Sequence, residues 1–310
     1  MNDLLKIYEV GPRDGLQNEA ARLSAEQKLR LIDGLVAAGL RHIEVTSFVH
    51  PQAIPQLADA DEVMAVTETR HAADGVELIG LVFNERGYDR AWAGGCRSLA
   101  FGAAVSETFS RRNTRNTPRE ALDTARALVE RARQDGARTR FYVMTAWICP
   151  FEGVIPPQKT LAVVQEIADW GVDEIAIADT VGYADPLSVG RLIDSIARRI
   201  DIERLAVHLH DTQALGLANA TAAMQAGIRT FDSSVGGLGG CPFAPGAAGN
   251  LATEDLAFLA HKVGLGTGVD FARLMEVVFE LERAIGRPIG GRIRQWWESN
   301  QDQEPRVEFN

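Results

Sequence analysis

The chain has 310 residues, 46% of them hydrophobic and 24% charged, with a formal net charge of -10; this is the composition of a globular protein large enough for one big α/β domain or two small ones. The negative charge argues against non-specific nucleic-acid binding, which needs a basic face, and no run of 18 apolar residues offers a membrane span. The opening Met1-Asn2-Asp3-Leu4-Leu5-Lys6 lacks the pattern of a secretory signal, and Cys96, Cys149 and Cys241 are widely spaced with no C-x-x-C pair, so a cytoplasmic protein without a disulfide framework or zinc finger is expected.

Leu5 to Val10 reads as the first strand. In the helix after it, Ser24 is the N-cap and Gln27 stands three residues on, the spacing of a capping box. Leu29, Ile32, Leu35 and Val36 fall on one helical face, and Gly39 is placed to end the helix. Further strands are expected at His42–Ser47, Val76–Val82, Ser98–Val105, Thr139–Ala146, Glu174–Thr180, Leu205–Asp211 and Thr230–Val235. Helices are expected between them at 55–70, 84–94, 118–135, 158–170, 186–200 and 216–227, and then at 253–263 and 270–286. Strand–helix units repeated without a long linker predict an α/β fold: a (β/α)8 TIM barrel with additional C-terminal helices, filling residues 1–290. A doubly wound sheet is the alternative, weakened because no G-x-G-x-x-G follows the first strand. Residues 291–310 read as a polar tail, with Trp296 and Trp297 placed to dock on the barrel or on another subunit.

Active sites of TIM barrels sit at the C-terminal ends of the strands, and the unusual polar residues of this chain cluster there. Gly11-Pro12-Arg13-Asp14-Gly15 follows strand one; strand two carries Glu44, Thr46 and Ser47; strand six ends in Asp179-Thr180; strand seven ends in His208-Leu209-His210-Asp211. Residues i and i+2 of a strand share a side, so His208 and His210 face the mouth together. They read either as part of a metal site or as hydrogen-bonded core histidines. Asp14 reads as a third ligand or a turn aspartate, and Asn250 as a fourth ligand or a helix N-cap. Together the four form an N/O set suited to Mg2+ or Mn2+, with Co2+, Fe2+ and Zn2+ as competitors.

Arg13 is a candidate oxyanion stabiliser or a surface turn arginine. Cys241 lies in Gly236-Gly237-Leu238-Gly239-Gly240-Cys241-Pro242, read as a mobile loop that brings a thiol into the site or as a flexible connection. Cys96 and Cys149 read as structural. Arg111, Arg112 and Arg115 form a basic segment placed to meet phosphates, or simply a solvated face.

The segments E-V-G-P-R-D-G-L-Q-N-E (9–19), I-E-V-T-S-F-V (43–49), S-E-T-F-S-R-R-N (106–113), C-P-F-E-G (149–153), A-D-T-V-G (178–182), H-x-H-D-T (208–212) and D-S-S-V-G-G-L-G-G-C-P-F-A-P-G-A-A-G-N-L-A-T-E-D-L (232–256) resemble the 3-hydroxy-3-methylglutaryl-CoA lyase family over roughly residues 5–260. The resemblance implies divalent-metal-dependent retro-Claisen cleavage of 3-hydroxy-3-methylglutaryl-CoA, or a close 3-alkyl analogue, to acetyl-CoA and acetoacetate. It implies Asp14, His208, His210 and Asn250 as ligands of Mg2+ or Mn2+, Arg13 at the enolate and Cys241 as acid/base. Glu44 and Asp179 match supporting carboxylates, and Asp14 or Asp179 is the candidate base. Substrate contacts are expected from Arg13, Gln17, Ser47 and Arg112, and a homodimer is the family expectation. Ala20, Ile148 and the run H-D-T-Q-A-L-G-L-A-N (210–219) depart from the commoner pattern without removing a proposed ligand. A Claisen condensing enzyme, a 2-oxo acid aldolase and a non-catalytic metal-binding barrel are the competing readings.

Overall fold

The computed structural model describes residues 4–240 and 249–300. Its core is a closed barrel of strands β1 (Lys6–Glu9), β2 (His42–Ser47), β3 (Glu77–Leu81), β4 (Ser98–Ala104), β5 (Arg138–Met144), β6 (Glu174–Asp179), β7 (Leu205–Leu209) and β8 (Thr230–Ser233). Every neighbouring pair is parallel, and β8 closes onto β1. The surrounding helices are α1 (Ala25–Ala37), α2 (Ala60–His71), α3 (Glu85–Ala93), α4 (Glu107–Thr114), α5 (Pro118–Gln134), α6 (Pro157–Asp169), α7 (Pro186–Ala197), α8 (Gly216–Gln225), α9 (Thr253–Lys262), α10 (Phe271–Ile285) and α11 (Ile293–Ser299). This is the expected TIM barrel with additional C-terminal helices.

Local sequence explains the frame. The capping box on α1 is formed in both directions, Ser24 accepting from Gln27 N and Gln27 from Ser24 N. Gly39 follows with φ +96°, where a Cβ would stand 2.3 Å from the Gly268 carbonyl oxygen, so only glycine fits. Strand alternation then sorts the side chains. Tyr8, Ile79, Leu81, Ala100, Tyr142, Ala176 and Ala206 fill the barrel interior, while Ile7, Ile43, Phe141, Ile175, Ile177 and Leu209 pack outward in the larger apolar layer under the helices.

Two stretches differ from the sequence expectation. The basic segment after β4 is helical, as α4: Ser106 caps it by accepting from Phe109 N at 3.2 Å, and Glu107 pairs with Arg111 at 2.7 Å. Its short polar sequence carries no apolar period that would announce a helix. The segment expected to be a polar tail instead contains α11. Backbone amides of Arg292 and Ile293 donate to Asp255 at 2.8 and 2.9 Å. Trp296 lies against Phe258 and Trp297 edge-on to Phe271, with ring centroids 5.5 and 5.1 Å apart. Two aromatic side chains thus dock on the barrel's own helices and hold a segment that composition alone marks as polar. Residues 301–310 of that segment lie outside the described residues. Among the described residues no helix is long and apolar enough to cross a membrane.

Candidate active site

The turn after β1 sets the site. The Val10 carbonyl accepts from the amides of Arg13, Asp14 and Gly15 at 3.1, 2.7 and 3.1 Å, giving a π-type turn over Gly11–Gly15, a form often used at functional sites. A Cβ on Gly11 would lie 2.6 Å from Glu9 Oε1, and one on Gly15 would lie 2.5 Å from Ser234 Oγ. The two glycines therefore let the turn settle onto the strand ends and present Arg13 and Asp14 at the mouth.

Asp14, His208 and His210 each place a ligand atom so that all three lie within 4.8 Å of one another. His208 is on β7; His210 follows it and forms an antiparallel bridge with Asn250. Leu209 between them packs outward, so the imidazoles share the inner side. His208 Nδ1 lies 3.0 Å from Asp232 Oδ2. An Nδ1–H donated there leaves a lone pair on Nε2, and this Nε2 faces His210 Nε2 at 3.1 Å. Burial first, then the neighbouring His208, pushes His210 down to about 3, so it is neutral. Asn250 Nδ2 donates to Asp14 Oδ2 at 2.8 Å and to Leu238 O at 2.9 Å, while its Oδ1 is buried with no partner among the described residues. Two facing ring nitrogens, a carboxylate and an orphaned amide oxygen form a donor set with a deficit of positive charge, and a divalent cation fits it. Asn250 is not the cap of α9, whose N-cap is Ala252.

Beneath this set runs a buried polar network. Arg13 is 7% exposed, so it is no surface turn arginine. It donates to Glu44 at 2.8 and 2.6 Å and also pairs with Asp14. Burial works against charging Arg13, but Glu44 and Asp14 outweigh it; burial likewise pushes Asp14 up, but Arg13 and the two histidines hold it well below the usual carboxylate range. The register of β2 against β3 shifts between Glu44 and Thr46, an irregularity of the kind that re-aims side chains beside active sites. Deeper in the barrel, Arg140 binds Asp232 at 2.5 and 3.1 Å, Glu174 at 2.7 Å and the Tyr142 hydroxyl at 2.6 Å.

Asp232, Arg140 and Tyr142 are functional candidates that sequence reading missed. An arginine inside Arg140-Phe141-Tyr142-Val143-Met144 was the available signal, because charged residues are almost never fully buried unless paired.

The other expected site residues are placed as follows. Asp179 is buried, and its oxygens accept from the amides of Tyr183 and Ala184, both at 3.1 Å; burial raises it to about 6. The Ser47 hydroxyl is buried and donates to Leu81 O at 3.2 Å. Gln17 is half-buried after the first turn. Arg112 is exposed on α4 with its guanidinium 4.1 Å from the centre of the Phe151 ring. Cys96 and Cys149 are buried free thiols; Ser106 Oγ donates to Cys149 Sγ at 2.9 Å.

Cys241 lies outside the described residues, but the approach to it is anchored. Gly236, Gly237 and Gly239 have φ of 70, 63 and 93°. Glu9 Oε1 accepts from both Gly11 N and Val235 N, at 2.7 and 2.9 Å, tying the first turn to this stretch. Glu254 does the same for Gly236 N and Gly291 N, at 3.1 and 2.6 Å.

Comparison with known proteins agrees with this geometry. Residues 4–279 match the HMGL-like family model. The chain is 42% identical to the hydroxymethylglutaryl-CoA lyase of Pseudomonas mevalonii, covering 91% of this chain and 93% of that protein. It is 40% identical to the 3-hydroxy-3-isohexenylglutaryl-CoA/hydroxy-methylglutaryl-CoA lyase of Pseudomonas aeruginosa, over 93% and 95%. The crystal structure of the Bacillus subtilis HMG-CoA lyase superposes with a TM-score of 0.92 at 36% identity, over 96% of this chain and 98% of that one. An HMG-CoA lyase from Acinetobacter baumannii, solved with coenzyme A and 3-methylmalate, gives 0.90 at 35% identity, over 99% and 97%. With such coverage by model and relatives alike, the chain belongs to the HMGL-like family and, within it, to the hydroxymethylglutaryl-CoA lyases.

Proposed function

We propose that this enzyme cleaves 3-hydroxy-3-methylglutaryl-CoA to acetyl-CoA and acetoacetate at the β1/β7 side of the barrel mouth. The observation that carries the proposal is the meeting of Asp14, His208 and His210 within 4.8 Å, beside a buried arginine. Asp14, His208, His210 and Asn250 would hold a divalent cation, with Mg2+ or Mn2+ as our assignment from their oxygen and nitrogen donors. When bound, such an ion lowers the pKa of a coordinated hydroxyl.

The chain's own residues do the rest. Asp14 stands within the ligand set at the mouth, its oxygens paired with Arg13 and Asn250, whereas Asp179 is turned to the backbone amides of Tyr183 and Ala184. Because a base must first be within reach of its proton, we assign Asp14 to take the proton of the 3-hydroxyl and Asp179 to hold the loop after β6. The C2–C3 bond breaks, its electrons passing into the thioester. Acetoacetate leaves with the new ketone at C3, and the remaining fragment is the enolate of acetyl-CoA. Arg13, fixed by Glu44, faces the growing negative charge. Cys241 delivers the proton to the enolate carbon. Glu44 acts by orienting Arg13; Gln17, Ser47 and Arg112 are assigned to the acyl-CoA side, Arg112 towards its phosphates. A cytoplasmic homodimer completes the proposal.

Incubation of purified enzyme and Mn2+ with 3-hydroxy-3-methylglutaryl-CoA tests it. Acetyl-CoA and acetoacetate in equal amounts are expected; an intact thioester, or condensation of acetyl-CoA with a 2-oxo acid instead, contradicts it.

A further inference from the structure

The proposed reaction leaves one substituent of the substrate without a polar partner. C3 carries a hydroxyl, a carboxymethyl arm, the thioester arm and an alkyl group. The hydroxyl is assigned to the ligand set of Asp14, His208 and His210 and the growing enolate charge to Arg13, all on the β1/β7 side of the mouth, while Arg112 on α4 is assigned to the CoA phosphates. The opposite side differs. Strand alternation turns Arg140, Tyr142 and Met144 of β5 inward, and Ile79 and Leu81 of β3 likewise. Phe83 packs on the inner apolar layer and Met144 on both that layer and the larger apolar cluster, yet both are only half-buried, as befits side chains at the open end of a lumen. Between them on β4, Gly102 has no side chain. A Cβ there would lie 3.5 Å from Met144 Cε and 3.4 Å from Tyr142 Cβ. The tip of Met144 therefore covers the space over Gly102. Tyr142, one inward position below, touches the ligand side directly, its ring edge-on to His208 with centroids 5.9 Å apart. Tyr142 thus joins the apolar wall to the ligand set.

We propose that Met144 and Phe83 form the pocket for the 3-alkyl substituent and that Met144, by covering Gly102, sets the length of chain accepted. Methionine suits the role, being unbranched and adaptable where a β-branched residue would be stiff. A methyl group fits against its tip; a longer chain must move that tip aside. Removing the side chain beyond Cβ opens the lumen down to Gly102, which offers no Cβ of its own to refill it. The inference rests on the cleavage reaction above and adds to it the residue that selects among 3-hydroxy-3-alkylglutaryl-CoA thioesters.

The test is the ratio of kcat/KM for 3-hydroxy-3-isohexenylglutaryl-CoA to that for the 3-methyl substrate, in wild type, Met144→Ala and the milder Met144→Val, each with saturating Mn2+. Apolar pockets discriminate by about 10- to 200-fold per methylene. Met144→Ala is expected to raise the ratio about 10- to 100-fold, and Met144→Val to raise it less, with KM for the long substrate falling. A general loss of folding lowers both rates and leaves the ratio alone. A ratio within threefold of wild type in both variants overturns the assignment of Met144 while the cleavage reaction stands. Wild type that cleaves neither thioester overturns both.

Discussion

Replacing Asp232 with asparagine separates a residue that tunes the metal site from one that only fills the core. Asp232 is 1% exposed. One of its oxygens takes Arg140 at 2.5 Å; the other takes Arg140 at 3.1 Å and His208 Nδ1 at 3.0 Å. Burial pushes its carboxyl up, but Arg140 and then His208 outweigh burial and hold it ionised, below the usual range. Asparagine keeps the shape and removes the charge. His208 loses the anion that fixes its Nδ1–H tautomer and ring orientation, and losing such a partner typically costs about 10- to 100-fold in metal affinity, or ~1.4–2.7 kcal/mol. Arg140 keeps Glu174 at 2.7 Å but loses half of its compensation, so stability should fall by about 3 kcal/mol, the low end for breaking a buried pair. Titration calorimetry with Mn2+ and thermal unfolding of the metal-free protein read the two effects separately. Glu174→Gln serves as control, because it removes the other carboxylate of Arg140 while leaving Asp232 paired with Arg140 and His208. It should lower the melting temperature yet weaken Mn2+ binding less than Asp232→Asn does. Mn2+ affinity of Asp232→Asn within twofold of wild type would refute the reasoning.

Arg13→Ala should lower kcat by about 100- to 1,000-fold, as for loss of one oxyanion donor. Arg13→Lys should recover only part of this, since one ammonium cannot bridge Glu44 and Asp14 together; a loss under tenfold for the alanine variant counts against the assignment. Cys241→Ala should keep wild-type Mn2+ affinity and lose most turnover, and near-normal turnover would remove the thiol from the mechanism. Burial raises Glu9 from 4.5 to about 7. Its folded form holds a proton that the unfolded chain has released, so this contribution is full below about pH 4.5 and is lost as pH rises towards 7. Glu9→Gln removes the dependence, and its stability should gain on wild type by on the order of 3 kcal/mol across that window; parallel stability curves for the two proteins speak against a shifted Glu9. Ser24→Ala should cost about 1 kcal/mol through loss of the α1 cap and leave kcat unchanged, which denaturant melts and a rate assay decide.

Much of the fold was legible because each unit repeats its own local signals. The Ser24/Gln27 box and Gly39 mark α1 without reference to anything distant. The His208/His210 alternation places both rings inward on any strand. What escaped was long-range or sparse in period. Asp232 sits next to two serines in an unremarkable strand, and its importance comes from Arg140, 92 residues away. Nothing in the neighbourhood of Asp232 in sequence announces that partner. Met144 reads as one more apolar strand residue until Gly102, on the adjacent strand, shows what it covers. The helix α11 depends on Asp255 and on Phe258 and Phe271 for its anchorage, so residues 291–300 look like a tail in isolation. Asp179, which resemblance marks as catalytic, shows the converse: its backbone partners Tyr183 and Ala184 are close in sequence, but the engagement of both oxygens is visible only in three dimensions.

The claim on which all of this turns is that four side chains from three separate stretches of sequence share one ion. Anomalous diffraction from crystals of the enzyme grown with Mn2+ tests it directly. One strong peak is expected at the mouth, about 2.0–2.3 Å from His208 Nε2, His210 Nε2 and a carboxylate oxygen of Asp14, with Asn250 Oδ1 in the same shell. A peak bound elsewhere, or a mouth without one at saturating Mn2+, contradicts it.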